Sequence, residues 1–177
     1  MFRVAFAGAL ALLTAVTTMT APRAQTPATK AALGSDTQSV TGLPVPRYVS
    51  LRSDEVNLRT GPGVRYPIEW ILQRRHMPVE VLAEFEQWRK IRDWQGTEGW
   101  VFESMLSGTR YAVITGDTRV LHSERDPKSP AVARLEAGVI AELLECDGQW
   151  CRLDSDGFKG WMMRSEFWGV YPNEAVR

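Results

Sequence analysis

The 177-residue sequence is poor in the residues that build catalytic and metal centres, since it contains two His and two Cys. Side chains this few and this scattered do not supply the convergent ligands that a metal site needs. No Cys or Ser motif lies beside His76 or His122, so nothing predicts an activated nucleophile. We therefore predict neither an enzyme nor a cofactor or metal site, and we expect both His side chains to be solvated.

The sequence also lacks an excess of charge of either sign. It has 21 Lys and Arg side chains against 21 Asp and Glu. A nucleic-acid binder normally shows a basic face or stripe, and so does a protein held on an anionic membrane surface. The balance therefore argues against a nucleic-acid partner.

Long hydrophobic runs are missing beyond the first residues. One apolar run, residues 4–16, follows Arg3 and leads to small residues that end at Ala24. This run is too short for a membrane span, which needs about 20 residues. The pattern is typical of a cleaved signal peptide, here residues 1–24, with an uncleaved anchor helix as the alternative. We expect a periplasmic or secreted protein with no membrane span after cleavage.

Residues 25–47 contain no aromatic side chain and are dominated by Thr, Ala, Pro, Gly and Ser. Such a composition buries too little apolar surface to offset the entropy of ordering the chain. The segment is predicted to be a disordered linker. All seven Trp follow it.

An internal repeat organises the remainder. Residues 79–101 and 140–162 show the same order: an alternating apolar run, a turn, a Trp, a second turn, and Gly-Trp followed by an apolar residue. Trp88 and Trp100 correspond to Trp150 and Trp161. The repeat predicts two modules, residues 48–108 and 112–168, followed by a tail at 169–177.

Each module consists of apolar runs of four to six residues separated by Gly, Pro and Asp turns. This pattern favours five short β-strands per module, and no window shows a helical period free of Pro and Gly. We predict an all-β protein made of two small β-barrels. Because modules this small bury little core alone, we expect them to pack against each other.

The order of motifs resembles a known family. The first copy reads Val56-Asn57-Leu58-Arg59-Thr60-Gly61-Pro62-Gly63, with Tyr66 next, then Trp88-Arg89-Lys90-Ile91 and Gly99-Trp100-Val101. The second copy keeps the Trp150 and Gly160-Trp161 motifs but not the first signature. Together they resemble a tandem repeat of the bacterial SH3-like (SH3b) domains of exported proteins. The resemblance implies partly open barrels that act as non-catalytic binding or targeting modules.

The candidate ligand-binding residue is Trp88. Strand alternation places Ile91 and Trp88 on opposite faces, so a buried Ile91 leaves Trp88 at least partly outward. In eukaryotic relatives of this barrel a Trp at the matching position forms the floor of a groove that binds proline-rich peptides. The resemblance implies the same role for Trp88, and we expect Tyr66 and Arg59 at the rim of its binding site. The relatives complete that groove with a Pro and a Tyr, but this sequence has Phe102 and Met105 at those positions. This difference argues against binding of a polyproline peptide. Alternatively, Trp88 seals the module junction or the linker.

Three further expectations concern aromatic and charged side chains. Trp94 lies in a turn where folding does not require it, so we expect it to be exposed or to contact the second module, and we add it with Phe102 to the candidate site. Trp70 is in step with Ile68 and is expected to be core or half-buried. The charges of Arg89, Lys90, Arg92, Asp93 and Glu98 alternate in sign and predict a solvated strand face.

Cys146 and Cys151 are predicted to form a disulfide, because an exported compartment is oxidising and the pair flanks one hairpin turn. A four-residue loop would place them directly opposite each other, within disulfide range. A two-residue turn at Asp147-Gly148 would make them diagonal neighbours, too distant to bridge without distortion. The sequence leaves both registers open.

The expected partner is a peptide, an envelope protein or peptidoglycan. Two alternatives remain: an accessory protein of a cell-wall hydrolase system, and a structural module in an envelope complex. The aromatic tail after residue 166 is expected to cover an open edge of the second barrel, which would protect unpaired backbone groups.

Overall fold

The computed structural model describes residues 39–177. The predicted signal peptide and residues 25–38 of the predicted linker lie outside the described residues. Within the described part, helix is limited to two 3₁₀ turns, Glu103–Met105 and Arg164–Glu166. No helix in that part has the length and apolar character needed to cross a membrane.

Residues 39–177 contain fourteen strands, and all pairing between them is antiparallel. The first seven are β1 (Arg47–Leu51), β2 (Val56–Arg59), β3 (Ile68–Leu72), β4 (Pro78–Phe85), β5 (Trp88–Arg92), β6 (Glu98–Phe102) and β7 (Leu106–Ser107). The second seven are β8 (Tyr111–Ile114), β9 (Arg119–His122), β10 (Ala131–Leu135), β11 (Ile140–Asp147), β12 (Trp150–Ser155), β13 (Phe158–Met163) and β14 (Phe167–Trp168).

The two sets of strands form two sheets with the same topology. Their orders are β3-β2-β6-β5-β4-β1-β7 and β10-β9-β13-β12-β11-β8-β14. The predicted all-β class and tandem repeat are therefore confirmed. Each module has seven strands where five were predicted. The last strand of each copy has only two residues, too few to show a pattern, and the prediction also missed the first strand, which is as long as the predicted ones.

The two copies share a local irregularity as well as a topology. The pairing of β4 with β5 shifts register between Val81 and Ala83, and that of β11 with β12 shifts between Leu143 and Glu145. These bulges lie at equivalent positions of the repeat. A bulge bends the strand and increases its twist, which allows a short sheet to curl around its own core.

The first core is built from alternate residues of the strands. Its fully buried side chains are Leu51, Val56, Leu58, Val79, Val81, Ile91 and Val101. Each such side chain contributes about 1.5–3 kcal/mol through burial. The second core follows the same scheme, with Ile114, Leu121, Leu153 and Met162 fully buried.

The repeated Gly-Trp motif has a steric cause. A Cβ on Gly99 would lie 2.5 Å from Cγ of Leu58, and one on Gly160 would lie 2.6 Å from the carbonyl oxygen of His122. In both modules a neighbouring strand therefore crosses this position too closely for any side chain.

The modules pack against each other, as predicted. Ile140 of the second module packs against the first core. The ring of Tyr48 in the first module contacts Trp168 edge-on at 4.8 Å and Tyr171 at 4.6 Å. The Tyr171 hydroxyl donates a 2.8 Å hydrogen bond to Glu80, a buried carboxylate of the first module.

Ordered structure begins before the predicted boundary at residue 48. Arg47 is already in β1, and Thr41 donates hydrogen bonds of 2.8 Å from both its backbone N–H and its hydroxyl to the Glu84 carboxylate. Residues 39–47 are therefore part of the folded unit, contrary to the linker prediction there. Composition missed this because the segment is held mainly by hydrogen bonds to one buried carboxylate, with Val45 as its one contact with the first core among the described residues.

The tail covers a strand edge of the second module, as expected. Phe167 pairs with Ile114, and farther along the chain the Val176 carbonyl accepts a 2.9 Å hydrogen bond from the Cys146 N–H. The pairing of β11 with β8 ends at Glu142, so this N–H would otherwise lack a strand partner.

The predicted disulfide between Cys146 and Cys151 is present. The two residues are direct cross-strand partners with Cα atoms 4.1 Å apart, and Asp147 pairs with Trp150 inside them. This is the register in which the cysteines face each other. The turn is the two-residue Gly148-Gln149, so neither the expected four-residue loop nor the Asp147-Gly148 turn of the diagonal register is adopted.

Candidate functional site

A groove lies on the outer face of the first module, and we call it the Trp88 groove. Its volume is about 220 Å³, and its lining residues are Glu55, Asn57, Arg59, Val64, Trp88, Phe102 and Met105. Three of the five predicted ligand-binding residues are therefore in it, namely Trp88, Arg59 and Phe102.

Strand alternation positions the groove residues. In β5, Arg89 and Ile91 are buried while Trp88 and Lys90 on the other face are only half-buried. In β2, Val56 and Leu58 are buried beneath an outward Asn57. The same residues that build the core therefore fix the direction of the groove side chains.

An aromatic pair forms one wall of the groove. Trp88 and Phe102 are direct cross-strand partners on β5 and β6, and their ring centroids are 5.5 Å apart in a T-shaped contact. Such a contact holds both rings in one orientation and adds about 0.5–1.5 kcal/mol beyond burial. Both rings remain partly exposed to solvent.

Arg59 forms the opposite rim. Its guanidinium donates hydrogen bonds to the backbone carbonyls of Val64 at 3.2 Å and Tyr66 at 2.8 Å. These bonds hold the loop between β2 and β3 against the strand. Arg59 thus shapes the groove and also places a positive charge at its edge.

Tyr66 and Trp94 do not line the groove. The Tyr66 ring packs on Gly61, where a Cβ would lie 2.5 Å from the ring, so Tyr66 shapes the β2–β3 loop from within. Trp94 is half-buried against the core of its own module. The expectation that Trp94 is exposed is wrong, because its turn folds back over that core.

The turn that carries Trp94 is closed by Asp93, which accepts hydrogen bonds from the backbone N–H groups of Gln95 at 2.9 Å and Thr97 at 2.8 Å. Asp93 is buried, and so is Arg89, which pairs with Glu84 and Glu103. The predicted solvated face is therefore wrong at these two positions. Alternating charge signs indicated a solvated face, but Arg89 shares the inward face with Ile91.

Sequence reasoning missed three lining residues, Glu55, Asn57 and Val64, whereas the resemblance had already placed Met105 at the groove. The alternation of β2 could have identified Asn57, since Val56 and Leu58 are strongly apolar. Val64 lies in the β2–β3 loop, where no sequence period indicates the direction of a side chain. Trp70, predicted to be core or half-buried, is 56% exposed, because β3 is an edge strand that extends beyond the core.

The equivalent surface of the second module carries different side chains. Trp150 contacts the ring of His122 edge-on at 6.1 Å, so His122 is half-buried rather than solvated. The guanidinium of Arg125 lies 4.1 Å from the ring centre of Trp161 and also pairs with Asp147. In the second module, Arg125 of the same module therefore covers the Trp161 ring.

Among residues 39–177, no three His, Cys, Asp or Glu side chains are grouped so that they could hold a metal ion. The Trp88 groove itself offers two partly exposed rings, one guanidinium and one carboxylate. Its chemistry is that of apolar contact with polar groups at the rim.

A family model described as bacterial SH3 domain matches the chain twice, at residues 52–108 and 116–169. The chain belongs to the bacterial SH3 domain family. The resemblance noted from the Val56–Gly63, Trp88 and Gly-Trp motifs is thereby confirmed, and so is the tandem arrangement. Bacterial SH3 domains are typically non-catalytic binding modules found in cell-wall-associated or secreted proteins.

Solved structures with similar segments include NlpC2 and NlpC1 from Trichomonas vaginalis, both at 12% identity, with TM-scores of 0.34 and 0.33. The matches cover 75% and 73% of this chain but only 51% and 48% of those chains. An NlpC/P60 family protein from Bacillus cereus matches at 14% identity and a TM-score of 0.31, over 70% of this chain and 57% of that one. The chain thus spans about half the length of these structures. No curated protein matches it in sequence.

Proposed function

We propose that this pair of bacterial SH3 domains is an exported, non-catalytic binding module that captures a peptide segment of an envelope protein or of peptidoglycan in the Trp88 groove. The observation that carries the proposal is the Trp88–Phe102 pair, two mutually fixed aromatic rings left partly open to solvent beside Arg59.

Aromatic rings of this kind are the usual energetic centres of binding surfaces, because they bury a large apolar area with few rotatable bonds. Their T-shaped contact removes rotamer freedom before a ligand arrives, which lowers the cost of binding. The rim charges of Arg59 and Glu55 would then orient the backbone or end groups of the bound segment.

The test compares the wild-type chain with Trp88→Ala in sedimentation with purified peptidoglycan and in pull-downs from isolated envelopes. We expect Trp88→Ala to weaken binding by about 2 kcal/mol or more, as loss of a hot-spot residue does. The matched control is Trp150→Ala, which removes the equivalent ring of the second module and should leave binding unchanged.

Circular dichroism and thermal unfolding of both variants separate binding from folding. The proposal fails if Trp88→Ala stays folded and retains its interactions, or if Trp150→Ala weakens them equally. It also fails if the first module unfolds in Trp88→Ala while every interaction persists, since Trp88 would then be a structural residue. Phe102→Ala provides a second variant on the same wall.

A further inference from the structure

A second and larger concavity lies between the modules, and we call it the inter-module cleft. Its volume is about 570 Å³, within the range of about 300–1,000 Å³ that is common for ligand sites. It is built by the turn between β3 and β4 on one side and by β8, β11 and the β12–β13 hairpin on the other. None of its residues belongs to the Trp88 groove.

The wall from the second module is acidic. Tyr111, Glu142 and Asp154 lie in one row across β8, β11 and β12, since Glu142 is the cross-strand partner of both of the others. Asp156 adds a carboxylate from the hairpin turn. Like charges directly opposite each other destabilise a sheet, so the facing Glu142 and Asp154 are a cost to the fold. Lys159 offsets part of it, at 3.5 Å from Asp154.

The wall from the first module is basic. Arg74, Arg75 and His76 occupy consecutive positions of the β3–β4 turn. His76 has φ of 65°, a left-handed conformation that is uncommon for residues other than glycine. In this conformation its ring stacks on Tyr111 with centroids 4.4 Å apart, so His76 is half-buried rather than solvated as expected. The stack fixes the turn against the second module.

The opposite charges of the two walls do not neutralise each other. Among the described residues, neither Arg74 nor Arg75 forms a salt bridge, and the same holds for Glu142 and Asp156. Burial raises the pKa of Tyr111, the nearby Glu142 raises it further, and Arg75 lowers it. The negative charge of Glu142 and the positive charge of Arg75 therefore act on the same hydroxyl. The apolar side chains of Val139 and Ile140 also line the cleft.

A cleft with separated positive and negative walls fits a ligand that itself carries both charges. We propose that the inter-module cleft binds a short peptide with free ends, whose carboxylate is held by Arg74 and Arg75 and whose ammonium is held by Glu142 and Asp156. Arginine is suited to carboxylate because its guanidinium presents parallel N–H donors. The volume favours a peptide over a single amino acid. This site is independent of the groove proposal.

The probe is trialanine, which carries both charges and no side-chain chemistry. Titrated into the ¹⁵N-labelled full chain, it should shift the amide signals of His76, Tyr111 and Ile140 and leave the Trp88 indole signal unmoved. Acetylating its amino end or amidating its carboxyl end should each weaken binding about tenfold or more, since each removes a charge-assisted contact. Free alanine should bind more weakly than the tripeptide.

The variants are Arg74→Gln/Arg75→Gln and Glu142→Gln, which change partly exposed side chains and should fold normally. Each should weaken trialanine binding about tenfold, whereas Arg134→Gln, an exposed arginine of β10 outside the cleft, should not. The proposal is overturned if trialanine produces no shifts at the cleft, if either blocked peptide or free alanine binds as tightly as trialanine, or if the cleft variants bind like Arg134→Gln.

Discussion

Glu84 and Arg89 face each other across the β4–β5 hairpin at the positions that Cys146 and Cys151 occupy in the β11–β12 hairpin. The Arg89 Nε lies 3.4 Å from Glu84 Oε1, and Arg47 contacts the same oxygen at 2.7 Å. One cross-strand position is therefore stabilised by charge in the first module and by a covalent bond in the second. The two modules should consequently respond to different chemical conditions.

The Glu84 carboxylate should make the chain sensitive to acid. Burial by itself would raise its pKa, but hydrogen bonds from Thr41 and Arg47 lower that pKa to about 2, against 4.5 for the free side chain. A lowered pKa stabilises the fold above pH 4.5, and that contribution is lost as the pH falls towards 2. Glu84→Gln should cost about 3 kcal/mol at neutral pH and progressively less in acid.

Urea unfolding at several pH values between neutral and strongly acidic measures this dependence. Glu69→Gln, on the exposed strand β3, is the matched control and should keep the wild-type profile. Parallel profiles for Glu84→Gln and the wild type would show that the carboxylate does not carry the acid response.

The Cys146–Cys151 disulfide should contribute about 2 kcal/mol, because it closes a small loop and the chain-entropy gain is modest. The double variant Cys146→Ala/Cys151→Ala should lose this amount in urea unfolding, and a reductant should lower the stability of the wild type but not of the variant. Intact mass with and without reduction checks the bond itself. Two free thiols in the unreduced exported protein would refute it.

Tyr171→Phe should loosen the junction between the modules. The variant removes the 2.8 Å hydrogen bond to Glu80, whose carboxylate keeps its ion pair with Arg92 at 2.6 Å. A hydrogen bond to a buried charge is worth about 2 kcal/mol. Urea unfolding measures the loss, and amide shifts at Tyr48 report the junction directly. Tyr66→Phe, whose ring packs in the β2–β3 loop, is the control that should leave the junction unchanged.

The same hydroxyl should add an alkaline response. Burial first, and then the hydrogen bond to Glu80, raise the pKa of Tyr171 above its usual value of 10.0. A raised pKa means that the neutral form stabilises the fold fully below pH 10 and that this contribution is lost as the pH rises further. The wild type should therefore lose stability above pH 10, and Tyr171→Phe should lose less.

Glu86→Gly should stabilise the first module by about 0.5–1 kcal/mol. Glu86 has φ of 48° in the β4–β5 turn, and the equivalent position of the second module is Gly148, with φ of 55°. Left-handed backbone costs a side-chain-bearing residue about 1–2 kcal/mol, part of which is offset by the greater freedom of glycine in the unfolded chain. Gly148→Ala is the reciprocal variant and should destabilise. A lower thermal midpoint for Glu86→Gly would contradict the argument.

The sequence was informative wherever a pattern repeats within a strand or between the copies. Alternation predicted that Ile91 is buried and that Trp88 is partly outward, and the two Gly-Trp motifs marked the equivalent strands β6 and β13. It was uninformative where position in the sheet decides the outcome. Trp70 alternates like a core residue but lies on an edge strand, and its ring is exposed for that reason.

Charged residues were the other source of error. Arg89 and Asp93 carry charged side chains, yet both are buried. Arg89 pairs with Glu84 and Glu103, and Asp93 accepts hydrogen bonds from backbone N–H groups of its own turn. Only the three-dimensional pairing shows which charges are solvated. Trp94 was misplaced for a related reason, because the turn closed by Asp93 directs it onto the core.

The tail that follows β14 bears on how such repeats multiply. Val176 completes the pairing of Cys146 in the second module, while Tyr171 reaches back to Glu80 in the first. A further copy inserted directly after Trp168 would separate this segment from one module or the other. Such an insertion would break either the Cys146–Val176 backbone pairing or the Tyr171–Glu80 hydrogen bond between the modules. Linear solenoids differ, because they lengthen by stacking units that touch only their neighbours. The two modules and this tail therefore form one interdependent structural unit.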